Sequence, residues 1–227
     1  MKRMCCFYAV ICMVQGLYFR ECDFPIAFLG VEREMLSQFT TIQYLCLICP
    51  FFVWVVIFSD LFTRFYQSYG IVILTRSYQK GVFVSSLVKK VFLDAIALEG
   101  IQFVVNSIVF CQKIRAVYQY MIICLCFHLL VMVSITLMEV LLSTFFRNQL
   151  LIIFSCIYIY LSCDVAGRSI HGILGIIFYS GNVVCLLDMI HARDILWLVV
   201  YGVLVPVFVI VVCYLFIRRR CDVIDYI

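Results

Sequence analysis

The strongest constraint on this chain is a succession of apolar runs of membrane-spanning length, separated by short stretches that hold most of the charge. The runs cover 4–19, 42–58, 91–110, 120–146, 150 to at least Cys163, and 195–217. About 20 apolar residues in a helix cross the hydrocarbon core of a bilayer, and lipid tolerates only segments that satisfy their own backbone. The expectation is an all-α polytopic membrane protein with six transmembrane helices, formed as a single transmembrane domain over 1–227. A soluble fold is excluded on surface grounds. Of the residues, 66% are hydrophobic and 13% charged, with a mean hydropathy of +1.14. A soluble domain this size has too large a surface for its volume to hide that much apolar area.

The first run follows Lys2 and Arg3 and has the outline of a signal peptide. Arg20, Glu21 and Cys22 follow it in place of a small-residue cleavage site, which favours a retained anchor. Pro50 inside the second run predicts a kink. Lysine and arginine counts set the orientation. With the N-terminus inside, the inner segments hold Lys2, Arg3, Arg64, Arg76, Lys80, Lys89, Lys90, Arg147 and the triplet Arg218, Arg219, Arg220. Both termini are then cytoplasmic in the cell membrane, which requires an even number of spans. The apolar stretch 170–187 would break that parity as a seventh span, and it carries Gly172, Gly175 and Gly181. It reads as an outer re-entrant or surface-lying hairpin between spans 5 and 6.

The net charge of +4 does not point to nucleic acid, because the basic residues sit beside apolar runs as topology signals. Most of the 14 cysteines lie inside apolar runs, where a thiol behaves as a small hydrophobe. Cys46 and Cys49 have C-x-x-C spacing, but no second pair follows at zinc-finger distance. Cys22 has a potential outer disulfide partner in Cys111, and Cys5 and Cys6 are potential acylation sites. The sequence contains no H-E-x-x-H, no complete nucleophile elbow and no G-x-x-x-x-G-K-[ST] loop. The expectation is therefore a non-enzymatic chain without cofactor or metal, whose energy comes from a partner.

Several polar residues interrupt the spans. Asp94 stands four residues after Lys90, the spacing of a local ion pair. Glu99 and Asn106 share one face of span 3, either lining a polar path or pairing with another helix. Glu139, near the inner end of span 4, belongs to the same candidate path or pairs with Arg147. His128 reads as a hydrogen-bonded packing residue. An intramembrane enzyme would require Glu99, His128 and Glu139 to converge.

Between spans 2 and 3, residues 69–90 read YGIVILTRSYQKGVFVSSLVKK. Ile71, Leu74, Tyr78 and Val82 recur three to four apart, with Thr75, Arg76, Ser77, Gln79 and Lys80 on the polar side. That is the pattern of a cytoplasmic amphipathic helix lying at the membrane surface. A basic loop that only anchors topology is the other reading. The region from Pro50 to Ser107 resembles the small membrane subunits of bacterial type-2 ATP-binding-cassette exporters, found near peptide-antibiotic export and immunity systems. Its segment IVILTRSYQKGVFVSSLVKKVFLDAI places Arg76 at that family's arginine position.

The resemblance implies a permease subunit that pairs with itself or a second permease and docks a separate ATPase through Ile71, Leu74, Thr75, Arg76, Tyr78 and Lys80. Its cargo would be an amphiphilic peptide or a lipid. The alternatives are a non-transporting immunity or assembly protein that sequesters a membrane-active peptide through its outer hairpin, and an intramembrane enzyme.

Overall fold

The computed structural model describes residues 2–20, 30–31, 33–65, 80–143, 145–146, 148–168, 173–186 and 195–223. Among them there is no β-strand. In chain order the helices are α1 (Lys2–Tyr18), the short α2 (Arg33–Gln38), α3 (Thr41–Phe65), α4 (Lys80–Val109), α5 (Cys111–Ser143), α6 (Asn148–Gly167) and the short α7 (Ile173–Ile177). A 3₁₀ turn (Tyr179–Cys185) follows. The chain then continues through α8 (Ile195–Val199), a π-helical turn (Val200–Leu204) and α9 (Val205–Val223). Five segments are long and apolar enough to cross a membrane: Thr41–Ser59, Val84–Val109, Met121–Ser143, Gln149–Gly167 and Leu196–Arg219. The apolar part of α1, Met4–Tyr18, is shorter. This is the architecture of a multi-pass membrane protein. Outward side chains such as Ile108, Ile122 and Phe208 are large, apolar and exposed. A bilayer is the solvent that accepts such a surface.

Local chemistry explains where several helices begin and bend. Thr40 caps α3 in a reciprocal box. Its Oγ1 accepts from the Gln43 backbone N–H at 3.4 Å, and Gln43 Oε1 accepts from the Thr40 N–H at 2.8 Å. The helix then runs through Pro50 without interruption. Near the last helix, Pro206 has no N–H to give Gly202, and its ring crowds that carbonyl. The chain widens there into a π turn, in which the Val205 N–H reaches back to the Val200 carbonyl.

Two helices extend past the apolar runs that announced them. α4 begins at Lys80, so 80–90 continues directly into the span and does not form a separate surface helix or a loop. α5 begins at Cys111 and takes in Lys113 and Arg115, which the sequence reading placed in a short loop. In the first half of α4, Lys90 Nζ lies 3.3 Å from Asp94 Oδ2, the ion pair their spacing predicts.

Side-chain contacts fix the helix directions. Along α1, Tyr8 meets Gln102 and Gly16 meets Val109, so α1 and α4 run parallel. Tyr8 also packs on Trp54 while Gln15 reaches the Leu47 carbonyl, so α3 runs the opposite way. Phe51 on His128 and Trp54 on Thr136 align α5 with α3. Tyr44 at the start of α3 meets Tyr160 late in α6, so these two are antiparallel. Gly202 lies on Phe127 in the first half of α5. The start of α1, the end of α3, the start of α4, the α5–α6 turn and the end of α9 consequently lie toward one face.

The stretch between α6 and α8 is built into the bundle. Gly181 presses on the α6 backbone so closely that a Cβ there would sit 1.8 Å from the Ser162 carbonyl oxygen. Only a residue without a side chain fits. Tyr158 Oη donates to the Ile177 carbonyl at 3.0 Å, and its ring stacks on Phe178. Tyr179 is buried and shares a 2.5 Å hydrogen bond with Ser134 Oγ, near the middle of the apolar part of α5.

Candidate functional site

The centre of the bundle holds a polar seam carried by α4. Glu99, Gln102 and Asn106 stand at i, i+3 and i+7, one face of a helix, and all are buried. Each finds a neighbour on a different element or turn. Tyr8 Oη of α1 donates to Gln102 Oε1 at 2.6 Å. Asn106 Nδ2 donates to the Gln102 carbonyl at 2.8 Å. Glu99 Oε1 pairs with His128 Nδ1 of α5, both side chains being 3% exposed. Phe51 lies against the imidazole, with ring centroids 5.3 Å apart. One turn of α3 later, Trp54 Nε1 donates to Thr136 Oγ1 at 3.1 Å, and that hydroxyl donates to the Met132 carbonyl at 2.8 Å.

Each group gives the other a buried partner, and removing either would leave an ionisable side chain buried alone at a cost of several kcal/mol. The pair still has spare capacity, because Glu99 Oε2, His128 Nε2 and Asn106 Oδ1 have no hydrogen-bond partner.

Glu139 belongs to a different place. It follows His128 on α5 by about 16 Å of helix rise, and it lines a cavity of about 300 Å³. The other walls are Ile135, Met138, Leu142, Phe146, Phe154, Ser155 and Tyr158. The three candidate path residues therefore divide. Glu99 and Asn106 share the central seam, while Glu139 faces its own chamber between α5 and α6. The convergence of Glu99, His128 and Glu139 that an intramembrane enzyme would require is not present. Arg147, the sequence candidate for pairing with Glu139, lies outside the described residues.

A second cavity, of about 330 Å³, opens at the opposite end, between α2, the start of α3 and the end of α6. Tyr44, Tyr160, Asp164 and Arg168 give it polar walls. Arg168 Nε lies 3.1 Å from Asp164 Oδ2, so the charges there are paired locally.

Ile71, Leu74, Thr75, Arg76 and Tyr78 of the expected ATPase contact lie outside the described residues, as does Cys22. Lys80 is the first residue of α4. Cys5, Cys6, Cys46, Cys49 and Cys111 are free thiols. Among the described residues no three His, Cys, Asp or Glu side chains gather at metal-binding distance.

Sequence reasoning missed Gln102, Tyr8 and Tyr179. Gln102 was within reach, as the third polar residue on the Glu99 face. Tyr8 and Tyr179 offered no such signal, since an isolated tyrosine in an apolar run does not reveal which distant helix it meets.

No curated protein and no solved structure matches this chain. A family pattern does, over residues 8–226, nearly the whole sequence. The chain belongs to the family described as Protein of unknown function (DUF2705).

Proposed function

We propose that the chain is the membrane-spanning permease subunit of an ATP-binding-cassette exporter, moving an amphiphilic peptide or a lipid-like substrate with energy from a separate ATPase. The observation that carries this reading is the alternation of helix directions. α1, α4 and α6 run one way, and α3, α5 and α8–α9 the other, which gives six passes when α1 is taken as the short first span. The end of α3 and the start of α4 lie on the same face as both ends of the described chain. That face gathers most of the lysine and arginine in the sequence, and the positive-inside rule makes it cytoplasmic. A coupling segment around Arg76 is then available to a soluble ATPase.

The stretch before the last span supports a re-entrant reading over a surface-lying one. Tyr179 bonds to Ser134 at mid-depth of α5, farther in than a helix resting on the interface would reach. Irregular backbone at that depth needs protein around it, and α6 supplies this through the Gly181 contact.

The test is a mild-detergent affinity purification of the tagged chain from its native host. The expected result is a co-purifying ATPase that is released by Arg76→Glu with Lys80→Glu. A chain that comes down alone, or with only a membrane peptide, would refute the exporter reading. Reporter fusions at each terminus check the orientation, and an outward-facing N- or C-terminus would contradict it.

A further inference from the structure

Most polar groups buried in this bundle are hydrogen-bonded to a neighbouring helix, to backbone or to each other. Glu139 is the exception among the buried acids of the described residues. It is 3% exposed, and neither carboxyl oxygen has a partner at hydrogen-bond distance and angle. The Ser155 hydroxyl of α6 lies near it, in a contact too long or too poorly aligned to occupy either oxygen. Asp94 has Lys90, Asp164 has Arg168, and Glu99 has His128. A buried acid with no partner is costly at membrane depth. This one lines a cavity whose walls are otherwise almost wholly apolar.

We propose that this cavity binds an amphiphilic primary amine, with its ammonium on Glu139 and its apolar body against Ile135, Met138 and Leu142. Two features select that chemistry. Two vacant carboxyl oxygens call for a ligand that donates hydrogen bonds, which an ammonium does and a quaternary cation does not. The other described walls are apolar apart from the hydroxyls of Ser155 and Tyr158, and the Tyr158 hydroxyl is engaged with the Ile177 carbonyl, so they suit a hydrocarbon body.

The position suits such a ligand. Glu139 is about one turn from the end of α5, near the membrane interface where amine headgroups reside. Phe146 and Phe154, both exposed, pack against each other on the lipid-facing side of the lining. An amphiphile can therefore enter sideways from the leaflet. The volume is at the small end of ligand cavities, which run from about 300 to 1,000 Å³. It suits one alkyl chain and not two. The site requires neither ATPase nor transport, so it stands or falls separately from the exporter reading.

The experiment is calorimetric titration of the full chain in lipid nanodiscs with n-decylamine, and with decyltrimethylammonium and decanol as comparisons. Decylamine should bind saturably. The quaternary cation and the alcohol should bind about ten-fold more weakly or worse, the scale of a lost charge-assisted hydrogen bond. Glu139→Gln, which is nearly isosteric, should lose a similar factor. Leu142→Trp should abolish binding by filling the chamber, and Asp164→Asn should bind like the wild type. Decylamine binding that survives Glu139→Gln unchanged would overturn the proposal. So would a wild-type chain that shows no saturable binding, or that prefers decanol.

Discussion

Gly181→Ala tests the inserted stretch most directly. A Cβ at this position would lie 1.8 Å from the Ser162 carbonyl oxygen, 2.1 Å from its carbon and 2.7 Å from the Cys163 nitrogen. All three are backbone atoms of α6, so no side chain can swing aside. Ordinary contact begins near 3.4 Å, so the 3₁₀ turn or α6 must retreat by a large part of that difference. That displacement exceeds what the neighbouring hydrogen bonds absorb. Tyr179–Ser134 at 2.5 Å and Tyr158–Ile177 at 3.0 Å would stretch beyond bonding range. Overpacking costs about 1–3 kcal/mol and each lost bond about 1 kcal/mol, which totals roughly 3–5 kcal/mol. For a chain this long that lowers the melting temperature by roughly 6–20 °C.

The same change uncovers Cys163 and Cys185, both buried at this interface. Maleimide labelling in detergent, with thermal unfolding in parallel, reads both effects. Gly181→Ala should label at these two positions well below its melting temperature, where the parent does not. An alanine variant with parental melting and parental labelling would refute the close approach of the turn to α6, and with it the inserted position of Tyr179.

Other outcomes follow from the interior contacts. Glu99→Met and His128→Met should each cost roughly 3–5 kcal/mol, because each strands a buried partner, while the double variant should recover most of the loss; strictly additive losses in a thermal double-mutant cycle would contradict the pairing. Gly202→Ala brings a Cβ to 2.9 Å from the Phe127 ring, so it should destabilise by about 1 kcal/mol and be rescued by Phe127→Leu. Arg168→Ala removes an exposed pair and should change the melting free energy by less than about 1 kcal/mol.

The helical class and five of the expected spans were legible because hydropathy reports what lipid demands of each segment by itself. Every long apolar run became a helix, and the Lys90–Asp94 spacing became an ion pair, since both are local. Helix ends were less legible. Lys80 lies in a stretch that read as a separate amphipathic helix or a basic loop, and Lys113 and Arg115 read as loop, because local polarity does not reveal that a helix continues past its apolar part. The candidate path was half legible. Glu99 and Asn106 share a face as their spacing requires, but grouping Glu139 with them failed because position along α5, not polarity, decides which neighbour it meets. The inserted turn was legible as a departure from a plain span through its glycines. Its contact with Ser134 was not, because the pairing crosses 45 residues and depends on how α5 and α6 pack.

Helices in lipid gain little from hydrophobic association, so their packing relies on close backbone approach and on polar groups that bond across interfaces. This bundle divides those devices between two regions that meet on α5. On one side, the Glu99–His128 pair joins α4 to α5, the Trp54–Thr136 bond joins α3 to α5, and the Tyr8–Gln102 bond ties α1 to α4. On the other, α6 and the inserted turn are joined by a backbone contact at Gly181 and reach α5 through Tyr179 and Ser134. Ser134 lies between His128 and Thr136 along the helix. A shift of the inserted turn must therefore act on the stretch of α5 that anchors the polar seam. If the chain switches between two arrangements, the Tyr179–Ser134 contact is where the two halves are coupled. Tyr179→Phe removes that bond while keeping the ring packed, so it should loosen the coupling at a cost of about 1 kcal/mol in stability.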